Sequence, residues 1–186
     1  MKKNLGLMTD RLILRVLDDG WAKTVLTYFE KNRDYLERWE PVRQNGFYTR
    51  RVQAEHLVTD LKAMNAGQMV RLWLFRKEDP RTVIGSVALN TIVRGCFLSC
   101  FMGYRLDKDL TGKGYMTEAA GALVEFGFKT LGLHRIEANI IPRNTPSMRV
   151  AEKLGFQNEG ISPKYLKING VWEDHVHMVK RNTAME

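Results

Sequence analysis

Residues 107–117 read DKDLTGKGYMT. Before them lies an apolar run, FLSCFMGYRL; after them EAAGALVEFGF carries apolar residues at helical spacing. A strand must therefore become a helix within a few residues, with Gly112 and Gly114 on either side of a lysine at the joint. This joint commits the chain to an α/β fold with bare backbone where the elements meet. A helix N-terminus offers unpaired N–H groups and partial positive charge, and a loop without Cβ atoms lets an anion reach them. On that reading Gly112, Lys113, Gly114, Tyr115, Met116 and Thr117 cradle a phosphate. The alternative is a tight connection that needs glycine for its shape alone. The P-loop spacing is absent, and the dinucleotide fingerprint would need glycine where Thr117 stands.

The rest of the chain sets the joint in context. Residues 11–17, RLILRVL, read as a strand, and 18–30 as a helix opened by Asp18-Asp19. Residues 31–49 are irregular around Pro41. Ala54, Leu57, Val58, Leu61 and Met64 share a helical face that ends near Gly67. Strands follow at 70–75 and 83–89 across the turn KEDPRT, then at 96–106. A helix is predicted at about 117–130 and a strand at 135–141. A further helix is expected with Thr145 as N-cap, Pro146 at its first position and Gly155 as its stop. YLKI and VWEDHVHMV flank Asn169-Gly170, a hairpin signal. The expected architecture is a mixed, mostly antiparallel sheet flanked by helices, in one domain spanning 1–186. No repeat or linker divides it.

A net charge of +8 points to an anionic partner, whether nucleic acid, a ribonucleoprotein or a phosphate-bearing cofactor. The basic residues are dispersed, with no run of five that would suggest a nucleic-acid arm. No apolar stretch reaches the ~18 residues of a membrane span, and MKKNLGLMTDRLIL lacks a signal-peptide core, so a cytoplasmic protein is expected. Cys96 and Cys100 fall in one apparent strand, on one face and ~13 Å apart, so they are expected as buried reduced thiols. His175 and His177 alternate on a strand without a third ligand. Exposed histidines and no metal are expected.

The order strand, Thr-Gly-Lys-Gly-Tyr-Met, helix, strand, Asn-x-x-Ser, short helix, Leu-Gly-Phe resembles the GCN5-related N-acetyltransferase superfamily. The family's loop pattern, Gln/Arg-x-x-Gly-x-Gly/Ala, keeps its central glycine here as Gly114. Thr111 stands where Gln or Arg is usual, and Met116 where Gly or Ala is usual. TDRLILR at 9–15, NRDYLERWEPVR at 32–43, HRIEANIIPRNTPS at 134–147, EKLGF at 152–156 and YLKINGVWEDHV at 165–176 are similar to the RimJ/RimL branch. WEPVR, VRG and NGVWEDHV incline it to the RimJ side.

The resemblance implies direct attack of an amine on the thioester of acetyl-CoA, with no metal. It implies a sheet whose two central strands, here 96–106 and 135–141, splay apart around the pantetheine arm. Backbone groups of Gly103, Tyr104, Arg105 and Leu106 would bind that arm and supply an oxyanion N–H, while Thr111 through Thr117 would hold the pyrophosphate. Asn139 and Asn144 would line the other side, and Ser147 would protonate the departing thiolate. The glutamate that RimL-type proteins are thought to use as base aligns with Leu166, so that role has no bearer here; Glu137 is a candidate in its place. Trp39, Glu40 and Tyr165 are expected on the acceptor side, with Glu40 attracting an ammonium. Each has a plainer reading: Ser147 and Asn144 as helix-start residues, Glu137 in an ion pair with Arg135, Glu40 as solvated charge, and Tyr165 as core.

Three functions compete. One is acetylation of a ribosomal protein's N-terminal alanine, uS5 by resemblance, with the small ribosomal subunit as a possible partner. The second is acetylation of a free small amine. The third is a ribosome-assembly or RNA-associated factor, without sequence-specific reading because aromatic RNP motifs are absent.

Overall fold

The computed structural model describes residues 5–186. The first four residues of the N-terminal stretch assessed for a leader lie outside the described residues. Strands β1 (Gly6–Met8), β2 (Leu12–Arg15), β3 (Val70–Arg76), β4 (Gly85–Val93), β5 (Ser99–Leu106), β6 (Arg135–Ile140), β7 (Gln157–Ile168) and β8 (Val171–Arg181) form one sheet. Their order is β1-β2-β3-β4-β5-β6-β8-β7. Every neighbouring pair is antiparallel except β5 and β6. A parallel pair needs a crossover, and the crossover helix here is α4 (Tyr115–Lys129), the helix that follows the glycine loop. The mixed, mostly antiparallel sheet expected from the sequence is thus what the chain forms.

Helices cover both faces. Side chains alternate along a strand, so β3 sends Leu72 and Leu74 to one face and Trp73 and Phe75 to the other. Leu72 and Leu74 join a core with Leu123 of α4 and Ala151 of α5 (Thr145–Lys153). Trp73 and Phe75 join Val25, Tyr28 and Phe29 of α1 (Ala22–Lys31) and Leu57 of α3 (Arg50–Asn65). Burial on both faces explains the continuous apolar stretch at residues 72–75 within β3.

Several details depart from the sequence reading. The helix expected from residue 18 opens with a 3-10 turn, Asp19–Trp21, which Asp18 caps through Gly20 N–H. The irregular 31–49 segment holds a five-residue helix, α2 (Arg33–Glu37), ended before Pro41. The expected helix start at Thr145 lies one residue late, because Asn144 is the cap and its Oδ1 accepts from Ser147 N–H. Gly155 ends α5 at φ +76°, with its N–H on Glu152 O and that of Phe156 on Ala151 O, the Schellman pattern. The third long strand starts at Ser99 rather than 96, since Gly95 and Leu98 both take positive φ in a turn before it. Cys96 therefore does not share a strand face with Cys100: Cys96 is exposed and only Cys100 is buried. At Asn169-Gly170 both φ angles are positive, +43° and +82°, as a two-residue hairpin turn requires.

Candidate active site

The β5–β6 ladder is short. Ser99, Cys100 and Phe101 pair with Arg135, Ile136 and Glu137, and the register ends there. β5 continues to Leu106 against β4 alone, and β6 continues to Ile140 against β8 alone. From Met102 and Ala138 onward the facing edges are unpaired, and a cavity of about 740 Å³ opens between them. Backbone polar groups that leave a ladder inside a protein need partners. The splayed strands thus line a slot with unused donors and acceptors.

Alternation divides the slot in two. Met102, Tyr104 and Leu106 face α4 and α5, where Met116, Asn144, Ser147 and Val150 close the wall. Gly103 and Arg105 face α1 and α3 with Arg71, Ser86, Ala88 and Asn90, under Tyr35, Trp39 and Glu40. The parting of the strands is the window between these halves.

The first half ends at the glycine loop. Gly114 is the N-cap of α4 at φ +81°, and no side chain caps this helix, unlike α3 and α5, which Thr49 and Asn144 cap. Gly112 takes φ +75°, and a Cβ there would meet nothing within 4 Å. Thr111, Gly112, Gly114, Met116 and Thr117 line the cavity, whereas Lys113 and Tyr115 do not. Arg149 and Lys153, on α5, line it too. The uncapped helix start, the open glycine backbone and two cations together make a seat for phosphate.

Arg11 sets the loop's shape, a part that sequence reasoning missed. Its Nη1 donates to Lys113 O at 2.9 Å, its guanidinium lies 4.4 Å from the Tyr115 ring centroid, and its Nε donates to Glu118 at 2.7 Å. Thr9 Oγ1 and Arg11 N–H also donate to Glu118. Burial alone would raise Glu118, but these bonds win and hold its carboxyl below the usual range. The TDR at 9–11 and the TEA at 117–119 are two halves of one clamp, 107 residues apart in the chain.

At the window, Tyr104 Oη donates to Ser147 O at 3.0 Å, and Ser147 Oγ donates to Tyr104 Oη at 2.9 Å. Burial pushes the Tyr104 phenol up to about 12, so it stays protonated and holds Ser147 in place. The sequence reading assigned Tyr104 through its backbone; its side chain is the new element. Asn139 Nδ2 reaches Tyr165 Oη at 3.4 Å, while its buried Oδ1 has no partner.

The second half of the cavity, where the sequence reading expects the acceptor, differs from expectation at three places. Glu40 lines the cavity but is not a free anion, because Arg43 pairs with one oxygen and Arg105 Nε lies 3.3 Å from the other. Glu137 does not line the cavity: its carboxylate accepts from Arg135 at 2.9 Å and from His177 at 2.8 Å. Tyr165 stands behind the cavity wall, packed on the rings of His175 and His177. Trp39 is in the wall, with Arg143 over its ring at 5.1 Å.

The histidines are not the exposed pair expected from the sequence. His175 is 2% exposed and lines the cavity. Its Nδ1–H donates to Glu173 O, and burial lowers its pKa, which leaves a neutral ring with a basic Nε2. His177 is bound to Glu137 and Ser162. Among the described residues no three His, Cys, Asp or Glu side chains cluster as a metal site.

An uncapped glycine-flanked helix start beside two cations, a slot between parted strands and a chamber beyond it have the form that an acyltransferase fed by a phosphate-bearing thioester requires. A family model described as an acetyltransferase (GNAT) domain matches residues 11–157. The probable N-acetyltransferase YjcK of Bacillus subtilis is 42% identical over 164 residues, 88% of this chain and 90% of that protein. The [ribosomal protein uS5]-alanine N-acetyltransferase of Escherichia coli is 35% identical over 170 residues, 91% of this chain and 87% of that protein. The crystal structure of the ribosomal-protein-S5-alanine acetyltransferase of Vibrio fischeri superposes with a TM-score of 0.92 at 33% identity, covering 98% of this chain and 100% of that one. The chain belongs to the GNAT acetyltransferase family, and acetyl-CoA is its acetyl donor. The open Gly112 backbone, the unpaired strand edges and the orphaned Asn139 Oδ1 fit that donor.

Proposed function

We propose that this enzyme acetylates the N-terminal α-amine of a protein that begins with alanine, a ribosomal protein by its likeness to the uS5-alanine enzymes. The observation that carries the reading is the state of the acceptor chamber. Its carboxylate, Glu40, is tied up by two arginines, and the proton acceptor left in the wall is a neutral histidine. An α-amine, with a pKa of about 7.7–8.0, is substantially neutral near pH 7.5; a lysine at about 10.4 is not. A chamber without a strong base suits the first amine.

Acetyl-CoA supplies an activated acyl carbon: the amine nitrogen bonds to it, the carbon–sulfur bond breaks, and the sulfur takes up a proton. The chain's residues do the rest. The glycine loop, Arg149 and Lys153 hold the phosphates, and the free edge of β5 at Gly103–Leu106 presents N–H groups to developing negative charge. Asn139 and Asn144 bind from the opposite wall. His175 Nε2 accepts the proton that the amine sheds. Ser147, positioned by Tyr104, delivers its hydroxyl proton to the sulfur, and exchange with solvent then returns a proton to Ser147 and removes the one on His175. Trp39 limits the space for the first side chain, which favours alanine. Comparing the intact masses of ribosomal proteins from cells with and without this enzyme tests the reading. One protein should gain an acetyl group (about 42 Da) when the enzyme is present; an unchanged set would reject a ribosomal acceptor.

A further inference from the structure

On the acceptor side, three guanidinium groups converge on two carboxylates. Arg71 Nη1 pairs with Asp60 of α3 at 2.6 Å. Arg43 and Arg105 share the single carboxylate of Glu40. The neighbouring acids are committed elsewhere: Glu37 to Arg33 at 3.0 Å and Asp107 to Lys31 at 2.7 Å. The cluster therefore carries three positive charges against two negative, a surplus of one.

That surplus is enclosed. The side chains of Arg43, Arg71 and Arg105 are only 22–23% exposed. Burial lowers the pKa of all three, and Arg105 acts on both Arg43 and Arg71 in the same direction, as like charges held close must. Burying a charge without a counter-charge is costly, and proteins rarely leave one so. Two of the three, Arg71 and Arg105, line the cavity, on the face that also presents Asn90 and Asn139. Guanidinium groups match a carboxylate's geometry.

We infer that the acceptor brings a carboxylate of its own, close to the amine that is acetylated, and that Arg71 and Arg105 bind it. The inference rests on the acetyl-transfer reading above and narrows its substrate: a peptide with an acidic side chain among its first few residues. The same positive surplus disfavours a second positive charge nearby, so it helps keep the incoming amine in its neutral form. One device thus selects the acceptor and readies it.

Paired peptides that begin with alanine and differ only by Glu or Gln at positions two to four test this in the wild-type enzyme. The Glu peptide should show kcat/KM at least about tenfold higher, mainly through KM, at the position that reaches the arginines. The double variant Asp60→Asn/Arg71→Gln removes an ion pair without leaving either partner charged, and should lower the ratio several-fold by removing one of the two guanidinium groups that bind the carboxylate; a ratio unchanged in that folded variant would overturn Arg71's part. Equal use of Glu and Gln peptides at every position would overturn the inference while acetyl transfer to peptides stood. If free amino acids react, their amides do not, and peptides fail, the carboxylate site stands with the α-carboxylate as its ligand and the peptide reading falls. If nothing is acetylated, the function falls, and peptide binding followed by tryptophan fluorescence decides the inference separately. Tighter binding of the Glu peptides would sustain it, and equal binding would end it.

Discussion

Substitution of Gly114 by valine separates the shape of the glycine loop from its chemistry. The residue sits at φ +81°, where a β-branched side chain is strained, and its Cβ would lie 3.3 Å from Arg11 Nη2. Holding a non-glycine residue there costs on the order of 1–3 kcal/mol. That leaves two routes. If the loop keeps its conformation, global stability falls by that amount and little else changes. If the loop relaxes, the strain is relieved by moving the backbone between Thr111 and Thr117. The relaxed route is expected, because a Cβ at Gly112 would meet nothing within 4 Å and the side-chain ties on the loop are few: Arg11 to Lys113 O and to the Tyr115 ring, and Thr111 Oγ1 to Lys108 O. A hydrogen bond to a charged group is worth about 1.5–3 kcal/mol. Loss of two such bonds to phosphate weakens acetyl-CoA binding by about 3–6 kcal/mol, roughly a hundredfold to ten-thousandfold. Titration calorimetry with CoA and acetyl-CoA, beside a thermal melt, reads both quantities. A Gly114→Val enzyme that melts as the wild type does, so that its loop has relaxed, and still binds acetyl-CoA with wild-type affinity would refute the assignment of this loop to phosphate.

Other outcomes follow from the same geometry. Ser147→Ala should lower kcat by about 10²–10⁴-fold, with a smaller change in acetyl-CoA affinity, in an assay where chemistry limits; Tyr104→Phe, which removes both of its bonds to Ser147, should show part of that loss in kcat. His175→Asn should lower kcat and remove the acid limb of the wild-type profile: the ring's pKa is depressed, so it is neutral above about 6.5 and loses its basic form only as pH falls below that. Arg11→Ala should lower the melting temperature at pH 7 more than at pH 3. The Glu118 carboxyl is depressed on folding, so its stabilisation is present above its unfolded value of about 4.3 and is lost as pH falls through the folded one.

The cofactor half was more legible in the sequence than the acceptor half, and the reason is physical. On the proposed reading phosphate and pantetheine are held by backbone, and backbone exposure leaves a local signature: Gly112 and Gly114 at a strand-to-helix joint, Asn144 three residues before Ser147. Those features are settled by neighbours in the chain. The acceptor chamber is settled by pairs far apart. Glu40 reads as a free carboxylate until Arg105, 65 residues away, is brought against it by β5. Glu137 reads as a candidate base until β8 lays His177 beside it. His175 reads as an exposed strand residue because the sequence does not reveal that Tyr165 of β7 packs its ring against it. The Arg11–Glu118 clamp spans 107 residues, and neither residue is unusual where it stands; only the pairing of β2 beside α4 gives them a role. Cys96 failed for a local reason, since the left-handed turn at Gly95 and Leu98 delays the strand.

The claim at the centre is that a chamber without a free carboxylate base takes an α-amine. It is tested most directly by peptides identical except at their N-termini: one set with a free alanine α-amine, the other with the N-terminus blocked and a free lysine in the second position. Products are located by mass spectrometry across pH 6–10. The free α-amine should be acetylated, at a rate that rises with pH and levels off near about 7.7–8.0, and the blocked peptide should stay unmodified over the same time. Efficient acetylation of the blocked, lysine-bearing peptide, with a rate still climbing toward pH 10, would contradict it.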